Sequence, residues 1–289
     1  MKLKQSKRSN VKLRVGISGP SGFGKTYSAL QLAYGMTNDW TKIAVIDTEN
    51  SSASLYSHLG NYNVLDLQAP FSPERYIEAI KVCEDSNIQV IIIDSVSHEW
   101  SGTGGCLQIQ ESLGGRFQDW AKVTPRHQAF IDKILQSSCH IITTTRRKID
   151  YSLDVGSNGR TKVVKHGTKE ITREGFEYEL TVNLELLTDS HLCKASKDRT
   201  GLFANKPEFI INHETGKMLL DWSSSSEPKI VKPIEEQIEE CLTVKQLLNL
   251  HKSNPQAHDT HRDLFVRKKY QLEKLVQPKN FNSNGVHKN

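Results

Sequence analysis

The residues whose types and spacing most clearly predict chemistry lie between positions 19 and 26, GPSGFGKT. They fit the pattern G-x-x-x-x-G-K-[ST] at every fixed position. In this pattern the glycines turn successive backbone N–H groups toward phosphate oxygens, the lysine reaches the β- and γ-phosphates, and the hydroxyl binds Mg²⁺. The sequence therefore predicts a nucleotide site formed by Gly19, Pro20, Ser21, Gly22, Phe23, Gly24, Lys25, Thr26 and Tyr27.

The flanking residues predict the two elements that such a phosphate loop needs. Apolar residues at positions 11, 13, 15 and 17 alternate with Lys12 and Arg14, as in a strand. Residues 27–34 have helical spacing, and the N-terminus of this helix would bring its partial positive charge to the phosphates. A glycine-rich turn with an unrelated lysine is the alternative, and it leaves this strand and helix unexplained.

Carboxylates close two further predicted strands, residues 42–49 and 89–94. The carboxyl ends of parallel strands border the crevice in which such sheets bind ligands. We therefore expect Asp94 to support Mg²⁺ and Glu49 to act as general base on the water that attacks the γ-phosphate. Glu99 is the second candidate for the base. Capping of a helix or a strand is the alternative role for these acids.

The segments between these acids and the basic region are predicted from spacing alone. Residues 73–83 and 125–136 predict helices, and residues 140–145 predict a strand whose closing threonines could sense the γ-phosphate. Residues 101–124 are rich in glycine. They predict either a mobile surface loop or a loop that faces a channel or groove.

Positive charge is concentrated between residues 146 and 173. This segment holds eight Lys or Arg and three acids, an excess equal to the formal charge of the whole chain, +5. Glycines at 156 and 159 predict a flexible tip or hairpin. A basic segment of this kind suits single-stranded DNA, with a solvated charged hairpin as the alternative. The predicted DNA contacts are Arg146, Arg147, Lys148, Arg160, Lys162 and Lys165.

A second pair of basic residues follows two predicted strands, residues 178–187 and 191–196. Lys197 and Arg199 are two positions apart on an extended segment, so their side chains point to the same side. Such a pair could reach the phosphate site of an adjacent subunit and neutralise charge in the transition state. A surface charge pair is the alternative.

Composition limits the class of protein. The chain has 289 residues, of which 36% are hydrophobic and 25% charged, as in a soluble globular protein. No apolar run reaches the ~18 residues that span a bilayer, and the basic N-terminus lacks the apolar core of a signal peptide. The five cysteines are scattered and never form C-x-x-C, which indicates reduced thiols and neither a zinc nor a disulfide framework. We expect a cytoplasmic protein.

The chain is predicted to divide into four parts. Residues 1–222 form an α/β core with a mainly parallel central sheet flanked by helices, and residues 223–232 form a linker. Residues 233–277 form a small helical domain, with helices over 233–242, 244–250 and 258–276. Residues 278–289 are predicted to be a disordered tail.

Four segments together resemble, in order, the motifs of the RecA-like ATPases, which include recombinases and ring helicases. They are residues 19–26, 46–49, 93–95 and 196–201. The wording of DSVSHEW (94–100), GTGG (102–105) and KDR (197–199) looks more like the phage-encoded RecA-like ATPases of single-strand annealing, the Sak-type group. The resemblance covers roughly residues 11–205 and excludes the helical tail.

This resemblance implies a RecA-like P-loop fold and a Mg²⁺-dependent ATPase. Lys25 and Thr26 would hold ATP and Mg²⁺, Glu49 would activate water, and Lys197 and Arg199 would act on the neighbouring subunit. Such a protein would form a ring or filament with the nucleotide between subunits, and would bind single-stranded DNA through residues 146–165. A phage protein of this kind would work in the cytoplasm of its bacterial host.

Three functions stay open at this point. The first is a DNA-stimulated ATPase that assembles on single strands for annealing or recombination. The second is a nucleotide-gated scaffold in which ATP controls assembly, and the third is a ring-forming translocase. The C-terminal helical domain could recruit a single-strand-binding protein or pack on a neighbouring subunit.

Overall fold

The computed structural model describes residues 11–155, 161–204, 206–224, 233–254 and 260–276, and gives only the backbone of 151–155, 161–166 and 275–276. The chain divides into two compact units, Met1–Ser226 and Glu227–Asn289. The predicted N-terminal and C-terminal tails and most of the predicted linker lie outside the described residues.

A sheet runs through the first unit in the strand order β3-β2-β4-β5-β1-β7-β8-β9, and β6 pairs with β5. Neighbouring strands from β3 to β7 are parallel, whereas β8 and β9 are antiparallel to their neighbours. In the described residues the strands are β1 Arg14–Gly19, β2 Ile43–Asp47, β3 Asn63–Asp66, β4 Val90–Asp94, β5 His140–Val155, β6 Thr161–Glu170, β7 Val182–Leu186, β8 Leu192–Asp198 and β9 Phe209–Ile210.

Helices cover both faces of this sheet, and several short ones lie in the connections between strands. In the described part of the first unit they are α1 Lys25–Thr37, α2 Pro73–Asp85, α3 Ser97–Ser101, α4 Cys106–Ser112, α5 Trp120–Gln136, α6 Phe176–Glu179 and α7 His213–Ser224. In the described part of the second unit they are α8 Ile234–Glu239, α9 Val244–Ser253 and α10 Arg262–Val276.

The core lies in two layers, one on each face of the sheet. On β4, Val90 and Ile92 pack in the layer with α1 and α7, while Ile91 and Ile93 pack in the layer with α2 and α5. Strands buried on both faces read as continuous β-branched runs, which is the pattern that the sequence shows for β4. The predicted α/β class, with a mainly parallel sheet flanked by helices and a C-terminal helical region, is confirmed.

The register of the sheet brings the expected functional positions to one edge. Asp47 is paired with Asp94, and Gly19 is paired with Arg146. Since these strands are parallel, the residues that follow each of them leave the sheet at the same edge. The phosphate loop, both acids and the base of the basic segment therefore meet there.

Two connections differ from their predictions. Residues 101–124 were predicted to be a loop, but they contain α4, a 3-10 turn at Phe117–Asp119 and the start of α5. The glycines fall in the turns between these helices, so the glycine content conceals the helices themselves. Helix α5 also begins five residues before Pro125 rather than at that residue.

Three further features differ from their predictions: the start of β7, the presence of β3 and the end of α7. Residues 178–181 were predicted as strand, but Gly175 adopts a φ of 95° and starts the short helix α6. Strand β3 was not predicted, because its four residues are half-exposed and carry little apolar pattern. Residues 223 and 224 belong to α7 rather than to the predicted linker.

The second unit has a small core of its own. Its described helices contribute the buried residues Ile238, Leu247, Phe265 and Leu272, and Cys241 is buried between α8 and α9. The hydroxyl of Thr243 accepts the backbone N–H of Gln246 at 3.2 Å and so caps α9. The first helix of this unit was predicted to reach residue 242, but α8 ends at Glu239 and Leu242 is 80% exposed.

Among the described residues, no helix has both the length and the apolar character that crossing a bilayer requires.

Candidate active site

The residues after β1 form the predicted phosphate loop. Gly22 and Gly24 both have a φ of 83°, a left-handed conformation that glycine adopts without steric cost. Helix α1 begins at Lys25, so the unpaired N–H groups of its first turn border the loop. The Lys25 Nζ donates to the carbonyl oxygen of Pro20 at 2.8 Å, which folds the lysine over the loop. Burial lowers the pKa of Lys25 from its ordinary value.

A pocket of about 350 Å³ opens beside this loop. It is lined by Ser21, Gly22, Gly24, Lys25, Thr26, Tyr27, Glu49, Tyr56, Asp94, Arg146 and His191. Three predicted nucleotide-binding residues do not line it, namely Gly19, Pro20 and Phe23. Gly19 ends β1, and Phe23 packs against the core layer that contains α1. These three residues shape the turn, and the other six face the pocket.

The predicted Mg²⁺ position has a set of oxygen donors. Asp94 is 1% exposed, and its carboxylate accepts the hydroxyl of Thr26 at 2.6 Å and the hydroxyl of Thr144 at 2.5 Å. Burial raises the pKa of Asp94 above its ordinary value, although the two hydroxyls oppose this effect. Hydroxyl and carboxylate oxygens are the ligands that Mg²⁺ prefers. Thr26, with Asp94 behind it, therefore fits a Mg²⁺ ion bound beside the phosphates.

Glu49 lies in the pocket and is held there by an arginine. Its two carboxylate oxygens meet the Nε and Nη2 of Arg146 at 2.9 Å each. Burial alone would raise the pKa of Glu49, but the hydrogen bond and charge of Arg146 outweigh it and hold the pKa below its ordinary value. Glu49 is therefore ionised near neutral pH, and both of its oxygens are engaged by a guanidinium.

The other acids of this edge have structural partners instead. Asp47 accepts the backbone N–H groups of Glu49 at 2.6 Å and of Ala53 at 2.7 Å, which fixes the turn after β2. Glu99 is fully buried and contacts His127 and Cys106 outside the pocket. Of the two candidates for the general base, Glu49 is thus the one that faces the phosphate loop.

The basic segment is a β-hairpin that continues from the sheet. Strand β5 leaves the sheet after Arg146 and pairs with β6 from Arg147 to Val155. Lys148 is exposed at its base. Arg147 is not, because its side chain is only 14% exposed and lies against Glu170 at 3.5 Å and Glu185 at 3.3 Å.

The predicted DNA contacts therefore divide into three groups. Lys148 is available to a ligand, whereas the assignment of Arg147 as a phosphate contact is not supported, because two acids neutralise it. Arg146 is paired within the active site. Arg160 lies outside the described residues, and only the backbone of Lys162 and Lys165 is described.

Lys197 and Arg199 lie far along the sheet from the phosphate loop of their own chain. Lys197 pairs with Asn183, which pairs with Gly16, and the Arg199 N–H donates to Thr181. Lys197 and Arg199 are therefore level with the first half of β1, whereas the phosphate loop follows the last residue of β1. Both side chains donate to the carbonyl oxygen of Tyr178, so they do point to the same side.

Comparison with known proteins assigns the family. Residues 11–210, more than two thirds of the chain, match the family described as "AAA domain". This chain belongs to the AAA-domain family. Its loop, acids and parallel sheet are those of a P-loop ATPase domain that binds nucleotide.

Two other comparisons accompany this result. No curated protein matches the chain. A solved ATPase from the type III secretion system of pathogenic bacteria has a TM-score of 0.39 and 13% identity, over 62% of this chain and 52% of that chain. The AAA-domain protein thus spans about half the length of that ATPase.

Sequence reasoning missed two contributions to the pocket of this AAA-domain protein. His191, in the turn between β7 and β8, donates its Nδ1–H to the carbonyl oxygen of Phe23 at 2.8 Å. A Cβ on Gly24 would lie 2.6 Å from that nitrogen, so the loop needs glycine there. Tyr56 lies 6.0 Å from Tyr27, measured between ring centroids, and adds an aromatic wall. No local motif marks His191 or Tyr56, because only the fold brings them to the loop.

Proposed function

We propose that this protein is a Mg²⁺-dependent ATPase whose turnover is stimulated by single-stranded DNA bound at the β5–β6 hairpin. The observation that carries the proposal is the ion pair between Arg146 and Glu49. Arg146 stands where β5 leaves the sheet and becomes the hairpin, and Glu49 is the carboxylate beside the phosphate loop. One guanidinium therefore links the basic hairpin to the candidate base.

The chemistry of the pair supplies the coupling. While Arg146 engages both oxygens, Glu49 is a weakened base, because each oxygen already accepts a hydrogen bond from the guanidinium. Movement of the hairpin on a phosphate backbone would withdraw Arg146, raise the pKa of Glu49 and let the carboxylate take a proton from the attacking water. Bound Mg²⁺ would supply charge neutralisation between the β- and γ-phosphates. Lys25 adds positive charge at the same oxygens.

Substitution of Arg146 tests this coupling. In the Arg146→Gln protein we expect ATP hydrolysis without DNA to rise toward the stimulated rate, and added DNA to stimulate it little. Glu49→Gln should bind nucleotide and hydrolyse almost none. Arg126→Gln is a matched control, because Arg126 also makes a two-point pair with a glutamate, Glu74, outside the pocket. A low basal rate with intact stimulation in Arg146→Gln would rule out the coupling.

We further propose that the ATPase is a homo-oligomer, ring or filament, with nucleotide between subunits. Support comes from Lys197 and Arg199, which lie level with the start of β1 and away from their own phosphate loop. In a head-to-tail assembly such residues can complete the site of the next copy.

A mixing experiment tests action on the neighbour. Lys25→Ala and Arg199→Ala proteins are each expected to be inactive alone. Their mixture should recover activity, since about a quarter of randomly formed interfaces would join an intact loop to an intact Arg199. A mixture as inactive as its components would contradict the proposal.

The biological role that we propose is annealing or homologous recombination of single-stranded DNA, as in the phage-encoded Sak-type ATPases, with a single-strand-binding protein as partner of the C-terminal unit. The sequences at 94–100, 102–105 and 197–199 and the basic hairpin support this proposal. Annealing of complementary strands in the presence of ATP is the direct assay. Annealing that persists in Glu49→Gln, without DNA-stimulated hydrolysis, would favour the nucleotide-gated scaffold instead.

A further inference from the structure

Three metal-ligating side chains meet inside the first unit, away from the nucleotide pocket. Glu99 of α3, Cys106 of α4 and His127 of α5 are 0%, 0% and 4% exposed. The Cys106 Sγ lies 3.1 Å from Glu99 Oε1, and the His127 Nδ1 lies 3.0 Å from both Glu99 oxygens. One ligand atom from each residue falls within 4.8 Å of the others. We call this group the buried triad.

The chain between α3 and α4 is folded so that Cys106 returns to Glu99. The Gly102 N–H donates to the His98 carbonyl at 2.8 Å, and the Gly105 N–H donates to the Gly102 carbonyl at 2.9 Å. A Cβ on Gly105 would lie 2.6 Å from the Glu99 carbonyl oxygen, so this tight return requires glycine. The turn therefore positions the thiol against the carboxylate.

Aromatic rings close the triad off from water. Trp100 stacks on Trp120 with 5.5 Å between ring centroids, and its edge packs against His127 at the same separation. Inside such a dry shell an uncompensated charge is costly. Burial, and then the adjacent Glu99 carboxylate, raise the pKa of Cys106 above its ordinary value.

We propose that the buried triad binds one Zn²⁺ ion through a Glu99 oxygen, the Cys106 sulfur and the His127 Nδ1. This mixture of sulfur, nitrogen and oxygen donors is the one that zinc accepts. A carboxylate and a thiolate balance the charge of the ion, which leaves a neutral site in the dry interior.

Two of the three separations between ligand atoms need little adjustment. With zinc–ligand bonds of about 2.0–2.3 Å, tetrahedral ligands stand about 3.4–3.6 Å apart. The observed separations of 3.0 and 3.1 Å would therefore open by about half an ångström. On binding, the thiol proton leaves to solvent and the remaining imidazole proton sits on Nε2. The ion would link α3, α4 and α5. The first of these helices, α3, begins three residues after Asp94, the last residue of β4.

Metal content of the full-length protein tests the proposal. After chelation and reloading with Zn²⁺, elemental analysis should find about one zinc per chain. Cys106→Ser, whose hydroxyl can still donate to Glu99, should lose it. Cys139→Ser is the matched control, because Cys139 is also buried but donates to the Ile88 carbonyl. It should keep its zinc.

Cobalt provides a readout on the wild-type protein itself. Wild-type protein loaded with Co²⁺ should show a thiolate-to-cobalt charge-transfer band, which Cys139→Ser keeps and Cys106→Ser loses. Wild-type protein that takes up no Zn²⁺ and shows no such band would overturn the proposal and leave the triad as a hydrogen-bonded group. A band that survives in Cys106→Ser would place the metal at another cysteine, with the same consequence.

Discussion

At the scale of single residues, Arg14 departs furthest from its expected role. The alternating pattern suggests a side chain between apolar neighbours that can reach water, but Arg14 is 5% exposed. Its guanidinium donates to the carbonyl oxygens of Leu13, Leu135, Ser137 and Cys139 at 2.7–3.0 Å. Several of these follow the end of α5, where carbonyls have no helical partner. Arg14 thus ties β1 to the end of that helix.

Replacement of Arg14 by Met should therefore be costly. The apolar part of the side chain would be kept, but four buried carbonyl contacts would be lost. We expect the free energy of unfolding to fall by about 3 kcal/mol. Chemical denaturation measures it, and Lys12→Met, at an exposed neighbour, is the control. Equal losses in the two variants would show that water replaces the guanidinium.

His140 should make stability depend on pH. Its Nδ1 accepts the Leu13 N–H at 3.0 Å, and burial, with Lys12 and Arg14 nearby, lowers its pKa to about 4. The unfolded chain then binds more protons between the two pKa values, so stability falls as the pH drops from about 6.5 toward 4. The loss from His140 should reach about 2 kcal/mol at pH 5.

Denaturation at several pH values checks this expectation. His140→Asn keeps an acceptor for the Leu13 N–H and should remove most of this acid sensitivity. His58→Asn changes an exposed histidine and should leave the profile as it is. An unchanged profile in His140→Asn would assign the acid sensitivity to other groups.

At the scale of elements, β5 shows what sequence patterns do and do not reveal. The apolar run and the basic run were each visible, and they predicted a strand followed by a charged hairpin. The structure joins them into one strand of sixteen residues. Because the strand is continuous, the proposed displacement of the hairpin would be transmitted to Arg146 at the edge of the pocket. Neither the apolar run nor the basic run by itself predicts that the two form one continuous strand.

Helices α1 and α7 contact each other through glycines. Whether Gly216→Ala raises or lowers the stability of the protein therefore tests how tightly the two helices pack. A Cβ on Gly216 would lie 2.0 Å from the Leu32 carbonyl oxygen. Helix propensity alone predicts that Gly216→Ala stabilises by about 1 kcal/mol. We expect the opposite, a loss of about 3 kcal/mol, because backbone atoms must separate. Thermal unfolding distinguishes the two, with Lys217→Ala on the exposed face of the same helix as control. Stabilisation of Gly216→Ala would mean that the helices separate freely.

At the scale of the whole molecule, local motifs predicted the nucleotide site but not its tertiary partners. The phosphate loop and the strand-end acids follow from patterns within ten residues and from the shared edge of parallel strands. Glu49 and Arg146 are 97 residues apart, His191 and Phe23 are 168 apart, and Glu99 and His127 are 28 apart. The scattered cysteines indicated that there is no zinc framework, because a zinc site is recognised in a sequence by ligands that are close together along the chain. The buried triad is assembled across three helices, which spacing does not reveal.

The two units should unfold separately, because each core cluster draws its buried residues from one unit only. The full chain should then show two transitions in denaturant, and a chain ending at Ser226 should show one, with its midpoint little changed. This shorter chain should also keep its nucleotide affinity, since every residue that lines the pocket precedes Ser226. Calorimetric titration with a non-hydrolysed ATP analogue measures that affinity. A single transition in the full chain, together with weakened nucleotide binding after truncation, would show that the ATPase unit depends on the C-terminal helices for its stability.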